Sequence, residues 1–269
     1  ERNCEILWNG PATEGMRDEQ FKIVEDMIAR GVDGIVLAPL DAKALVPAIH
    51  QADNAGIPIV IFDSSAETDR YVSFVATDNY EGGSRAAEEM AKRLDGKGDV
   101  LLVRYAPGSA STAERARGVQ ETLQKKYPGM KIAADEYGKT TVATALAVVE
   151  DMLAKTPEFD GIFACNESTA VGTLKALQNY RKAGEVVFVG FDTSPTLVEG
   201  LENEQIDALV AQNPFRMGNE AVHTLVKHLE GEDVPKEIDT GVAVVTRENM
   251  DDPEIAKLLD IDLVKKWLE

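Results

Sequence analysis

The chain has 269 residues, of which 44% are apolar, and a formal net charge of −19. The apolar share excludes a disordered chain, and the length suits two domains. The acidity counts against nucleic acid and anionic lipid as partners, because phosphate contacts need Lys or Arg and the general field repels the backbone.

In chain order, short apolar runs alternate with amphipathic stretches. A strand-like run at residues 4–8 is followed by a helix over 18–30, a strand at 34–38 and a helix over 42–54. Strands at 58–62 and 72–77 then lead into a helix over 81–94, a strand at 99–103 and a helix over 112–126. A strand at 131–134 precedes a helix over 142–155, a strand at 161–164 and a helix over 168–178. Strands at 186–191 and 208–211, a helix over 217–229 and a strand at 241–246 complete the pattern. The tail from Asn249, with Ile255, Leu258, Leu259, Val264 and Trp267, reads as a closing loop and a short packed helix.

Runs that are apolar throughout imply strands buried on both faces, as in parallel sheets covered by helices. Strand–helix repetition then gives a doubly wound α/β fold. Ten strands suit two sheets of about five. Gly31, Gly56 and Gly96 each close an amphipathic run just before a strand, as helix stops do. The chain opens directly into its first strand-like run, which reads as a processed or trimmed start.

Ligands of open α/β sheets bind beyond the carboxyl ends of the strands. The residues there are Asp63, Asp78-Asn79, Arg104-Tyr105, Asn166, Phe191-Asp192 and Gln212-Asn213. Carboxylates accept from hydroxyls, Arg donates and amides do both, which suits a hydroxyl-rich ligand. Each residue also has a plainer reading. Asn166 and Asp192 precede helices and fit N-caps, and Asp63-Ser64-Ser65 fits a turn. Ser111-Thr112-Ala113-Glu114 fits a capping box, which would place Arg115 in a first helical turn, opposed to the helix dipole.

Catalytic patterns are missing from the sequence: no GxSxG, GxxxxGK[ST], strand-following GxGxxG or HExxH. His223 and His228 are spaced five apart and share no helix face, so no metal site and no cofactor are expected. Cys4 and Cys165 lie too far apart for a metal knuckle, and no disulfide between them is expected. No apolar stretch approaches the roughly 18 residues needed to span a bilayer.

Six segments, in order, resemble the ribose-type periplasmic sugar-binding proteins of ABC transporters, which share their fold with LacI-type repressor cores. They are Gly31-Val32-Asp33-Gly34-Ile35-Val36-Leu37-Ala38-Pro39 with Asp41; Gly56-Ile57-Pro58-Ile59-Val60-Ile61-Phe62-Asp63-Ser64; Thr77-Asp78-Asn79 before Gly82-Gly83; Arg115-Ala116-Arg117-Gly118-Val119; Ile162-Phe163-Ala164-Cys165-Asn166-Glu167; and Val189-Gly190-Phe191-Asp192. The resemblance implies a type I periplasmic binding fold: two doubly wound lobes, a multi-crossing hinge and a sugar in the cleft between lobes. It implies one lobe of residues 1–78 plus 214–243 and another of 79–213 plus 244–269, with hinges near 77–79, 212–214 and 242–244.

Carried over by position, the family's contacts fall on Asp63, Arg115 (four before Val119, which stands where the family has Phe), Asn166 and Asp192. Phe191 matches a ring that packs on the sugar and Thr77 a small polar contact, while Gln212 or Arg216 matches the third contact cluster. Tyr105 and Tyr137 are candidate stacking aromatics. Relative to the family, one βα unit is missing at the start. Ala38 and Ser64 stand where ribose binders carry Asn and Arg, which counts against ribose itself.

The function so implied is non-enzymatic: a monomeric, extracytoplasmic solute-binding protein, with or without a lipid anchor upstream, that delivers a monosaccharide or polyol to an ABC permease. The alternatives are the sensing core of a LacI-type regulator, a sensor-coupled binder of a furanosyl signal, or a sugar-modifying enzyme. A signal peptide and lipobox ahead of Glu1 would favour transport, and a helix-turn-helix there would favour regulation.

Overall fold

A computed structural model describes residues 4–260. Their fold is α/β, in two compact units: residues 4–75 with 220–238, and residues 76–219 with 239–260. The chain therefore passes between units at Val75/Ala76, Asn219/Glu220 and Ile238/Asp239. These crossings lie a few residues from the expected 78/79, 213/214 and 243/244.

The smaller unit is built on a four-stranded sheet. It contains β1 (Ile35–Leu37), β2 (Ile59–Phe62), β3 (Ser73–Ala76) and β9 (Glu237–Asp239), in the order β1-β2-β3-β9. The β1–β2 and β2–β3 pairs are parallel. Helices α1 (Arg17–Arg30) and α2 (Val46–Asn54) supply Val24, Ala48, Ile49 and Ala52 to a core with Ile35, Leu37, Ile59 and Ile61. Gly31 ends α1 at φ 66°, the left-handed conformation that glycine adopts without a Cβ clash. The second helix starts at Val46 rather than at the expected residue 42. Pro47 suits the first helical turn, because it has no N–H to give the Lys43 carbonyl and so continues no helix from residue 42.

The expected strand at residues 4–8 does not form. Ile6, Leu7 and Trp8 are exposed and pair with nothing in the sheet. Apolar alternation alone does not make a strand, because its backbone groups need a ladder to join. Conversely, β9 was not expected. Its Glu-Ile-Asp composition carries no strand signal, and it is held by the neighbouring backbone, as in the bond from the Phe74 N–H to the Lys236 carbonyl (2.8 Å).

The larger unit has a six-stranded sheet of order β10-β8-β7-β6-β4-β5. The strands are β4 (Lys97–Arg104), β5 (Gly129–Tyr137), β6 (Gly161–Ala164), β7 (Val187–Phe191), β8 (Ala208–Ala211) and β10 (Ala243–Val245). All pair in parallel except β10, which runs antiparallel to β8. Successive strand residues enter different cores. Leu101, Val103, Ile162 and Ala164 belong to one, Val100, Leu102, Phe163 and Cys165 to the other. That is the period of two for a sheet covered on both faces.

The helices of this unit are α3 (Asn79–Arg93), α4 (Ala110–Lys126), α5 (Val142–Lys155), α6 (Glu167–Asn179), α7 (Pro195–Glu202) and α9 (Pro253–Leu259). Helix α8 (Pro214–Leu229) contains the second crossing. The expected tail helix corresponds to α9, where Ile255, Leu258 and Leu259 pack on the larger unit's core; Val264 and Trp267 lie outside the described residues.

Candidate ligand-binding site

The larger unit gathers polar groups beyond the carboxyl ends of β6, β7 and β8. Their positions follow from how α3 and α4 pack. A Cβ on Gly83 would lie 2.0 Å from the Arg115 carbonyl oxygen, and one on Gly118 2.2 Å from that of Tyr80. The two backbones touch, and only glycine permits that approach. Asn79, the first residue of α3, is thereby brought to Arg115.

Arg115 is 2% exposed. Its Nε donates to Asn79 Oδ1 at 2.8 Å and its Nη1 to the Cys165 carbonyl at 3.1 Å. The guanidinium carbon lies 3.8 Å from the centroid of the Phe191 ring, an attractive cation–π placement. Asp192 Oδ2 is 3.6 Å from Nη1, close enough for ionic attraction and too long for a hydrogen bond.

Two expectations change here. Helix α4 begins at Ala110 with Ser109 as its N-cap residue, so Ser111 lies inside the helix and no capping box forms there. Arg115 is accordingly in the second turn and buried, because β6 and β7 bring Cys165 and Phe191 against it. Phe191 is itself fully buried, with Arg115 over its ring and Gly82 alongside.

Asp192 follows β7 with φ 72°, a left-handed conformation uncommon outside glycine. Its N–H completes the pairing to the Val210 carbonyl (2.9 Å), and the backbone then turns. Oδ2 accepts from the Glu167 N–H (3.0 Å) at the start of α6, where a carboxylate also complements the helix dipole. Oδ1 accepts from Gln212 Nε2 (2.6 Å), while Gln212 Oε1 is buried without a partner among the described residues.

Asn166 takes the capping role. It is the N-cap of α6, with Oδ1 accepting from Thr169 Oγ1 (2.7 Å) and the Thr169 hydroxyl closing the box on the Asn166 N–H. Its Nδ2 donates to Ser168 Oγ (3.2 Å). Cap and ligand contact are not exclusive, since Asn166 adjoins Cys165 and α6 begins at the residue bonded to Asp192.

Thr77 is buried, its hydroxyl donating to the Gly241 carbonyl (3.3 Å) and its carbonyl accepting from Asn79 Nδ2 (3.0 Å). Arg216 is exposed and bonds the Thr240 carbonyl (3.4 Å). Tyr105 is buried, whereas Tyr137 is 44% exposed near Arg104, which also holds Asp135 through two nitrogens. Among the expected residues, the cluster thus joins Arg115, Phe191, Asp192 and Gln212, with Asn166 beside it and Thr77 tied in through Asn79. Arg216 instead bonds the Thr240 carbonyl, and Tyr137 stands by Arg104.

Asp63 belongs to the smaller unit and follows β2. It repeats the Asp192 geometry: φ 63°, with its N–H donating to the Val75 carbonyl (3.0 Å). Both aspartates adopt the left-handed region at a strand end, a conformation that Asp tolerates better than most residues. Phe62-Asp63-Ser64-Ser65 and Phe191-Asp192-Thr193-Ser194 are near-repeats, a signal that strand-end reading alone overlooked. Asn79 lies in a recognised segment and among the strand-end residues, but the family's contacts do not fall on it.

Among the described residues no cluster of His, Cys, Asp or Glu could hold a metal ion. Cys4 and Cys165 are free thiols. No helix there is long and apolar enough to cross a membrane.

A family model described as a periplasmic binding protein domain matches residues 1–233. The ribose import binding protein of Bacillus subtilis is 30% identical over 85% of this chain and 73% of its own length. A solute-binding protein of an ABC transporter from Agrobacterium vitis, solved with bound D-fucose, aligns with a TM-score of 0.92 and 38% identity. That match covers 97% of this chain and 90% of the other. A carbohydrate transporter solute-binding protein from Agrobacterium radiobacter, in complex with D-arabinose, aligns with a TM-score of 0.89 and 32% identity, covering 92% and 85%.

Proposed function

We propose that this chain, which belongs to the periplasmic binding protein family, captures a monosaccharide or similar polyol and delivers it to the permease of an ABC transporter. It works outside the cytoplasmic membrane, as a monomer, without catalysis. One observation carries the reading. The buried cluster of the larger unit keeps an open acceptor: among the described residues no group donates to Gln212 Oε1. A buried polar group without a partner is costly, and a ligand hydroxyl, set beside the Arg115 guanidinium, supplies the missing donor.

In this reading Arg115 donates to ring or exocyclic oxygens, Asp192 and Gln212 accept from hydroxyls, and Asn166 offers its remaining amide proton. Asp63, after β2 of the smaller unit, is a further acceptor. The sugars and the polyol named for relatives and neighbours define the probes. A thermal-shift series with D-ribose, D-fucose, D-arabinose, D-galactose and xylitol, followed by calorimetry, tests the proposal. A cognate ligand at a hundred times its Kd adds about 2.7 kcal/mol of stability. If every sugar and polyol leaves the melting temperature unchanged at millimolar concentration, the reading fails.

A further inference from the structure

Asn79 has both ends of its side-chain amide committed in different directions. Oδ1 accepts from Arg115 Nε at 2.8 Å, and Nδ2 donates to the Thr77 carbonyl at 3.0 Å. The residue is 8% exposed, so water does not compete freely for either bond. Turning the amide over would set Nδ2 against the Arg115 N–H and Oδ1 against a carbonyl, losing both bonds together.

The guanidinium is therefore held in three ways, one of them the bond from Nη1 to the Cys165 carbonyl (3.1 Å). The Phe191 ring at 3.8 Å fixes the plane in which it lies. Asn79 fixes rotation within that plane by holding Nε, on the edge of the guanidinium that Nη2 shares. The anchor is stiff, because α3 and α4 touch at Gly83 and Gly118 and cannot slide without collision. Asp78, the N-cap residue of α3, accepts from the Glu81 N–H (2.8 Å) and holds the start of the helix where Asn79 sits.

Asn79 also ties Arg115 to the places where the chain changes units. Thr77 lies just after the first crossing, and its hydroxyl bonds the Gly241 carbonyl just after the third. Asp239 Oδ1 accepts from both the Asp78 N–H (3.2 Å) and the Gly241 N–H (2.8 Å). The Thr240 N–H donates to the Ala76 carbonyl (2.9 Å). Two crossing segments are thus bonded to each other and, through Thr77 and Asn79, to Arg115.

We infer that Asn79 is a positioning residue: it sets the orientation of the Arg115 guanidinium for ligand and couples that orientation to the backbone of the chain crossings. The inference rests on the proposed role of Arg115 as a ligand donor, but its first readout needs no ligand. In 15N-labelled protein without sugar, the Arg115 Nε–H signal, assigned by its loss in Arg115→Gln, is expected to exchange slowly. Asn79→Ala abolishes that protection. Asn79→Asp, which retains the acceptor, restores it.

Sugar affinity is expected to fall at least about tenfold in Asn79→Ala and to recover largely in Asn79→Asp. In the Arg115→Gln background Asn79→Ala should weaken binding no further, whereas a merely structural role would add to the loss. An unchanged Arg115 Nε–H signal in Asn79→Ala overturns the inference, as does full affinity once the protection is gone. If Asn79→Ala does not fold, Asn79→Asp decides: retained protection with affinity lost as completely as in Arg115→Gln also overturns it. Should no sugar bind the parent protein while Asn79→Ala still loses the protected signal, the sugar reading fails and the Asn79–Arg115 arrangement stands.

Discussion

Arg115 is buried, paired with Asn79 and the Cys165 carbonyl, and laid over Phe191, so removing it acts twice. Arg115→Ala should weaken sugar binding by about 2–5 kcal/mol through loss of a desolvated charged donor. It should also lower stability, because Asn79 Oδ1 and the Cys165 carbonyl lose a partner at about 1–3 kcal/mol per stranded group. A first-turn Arg would have spared the fold; the second-turn placement does not. Calorimetry and urea melts measure the two effects separately, and an unchanged melt would contradict the packing described. At the same scale, burial pushes the Cys165 thiol up to about 12, outweighing the nearby Arg115 and Arg104 charges. Cys4 is exposed. A thiol reagent at pH 8 should therefore label one cysteine in the native protein and two after denaturation. Because the folded value is raised, the unfolded chain alone loses the proton first, so this group's stabilising contribution is lost as pH rises from about 9 towards 12.

At the scale of elements, the contact between α3 and α4 decides where the site's donor goes. Gly118→Ala would put a Cβ 2.2 Å from the Tyr80 carbonyl oxygen, and backbone cannot yield as a side-chain tip can. A loss of about 1–3 kcal/mol or more is expected, together with weaker sugar binding, since the helices must part and carry Asn79 from Arg115. Chemical denaturation with calorimetry checks both, and a variant that loses stability but binds normally would separate the packing from the site. Asn166→Ala removes the cap of α6, which should lower stability by about 0.5–2 kcal/mol. The ligand contact proposed for Asn166 predicts an affinity loss beyond that; Asn166→Asp or Asn166→Ser, which can still cap, isolates it.

For the whole molecule, the chain crosses between its two units three times, and multiple crossings of this kind serve as hinges in proteins that close around a ligand. A ligand shifts such an equilibrium only by its differential affinity for the two states. With contacts proposed on Asp63 in one unit and on Arg115 and Asp192 in the other, saturating sugar should reduce the radius of gyration in small-angle scattering. An unchanged radius in a sample shown by calorimetry to be saturated would confine the ligand to one unit. The charge of −19 belongs to this scale as well, as a field that repels nucleic acid and keeps the molecule dispersed.

The sequence by itself determined the α/β class, the order of the elements and the strand ends that carry Asp63, Asn166 and Asp192. Those are local properties: apolar runs, helix stops such as Gly31, and polar residues placed just past a strand are visible within a window of a few residues. Its windows overstated residues 4–8 and missed β9, since whether a segment pairs depends on the backbone beside it rather than on its own side chains. Only the tertiary structure decided that Arg115 is buried, that Phe191 lies beneath it and that Asn79 holds it. Those facts depend on two helices touching at Gly83 and Gly118 and on strands β6 and β7 lying next to each other. Burial and partnership are set by groups distant in the chain, and no local pattern encodes which of them will meet.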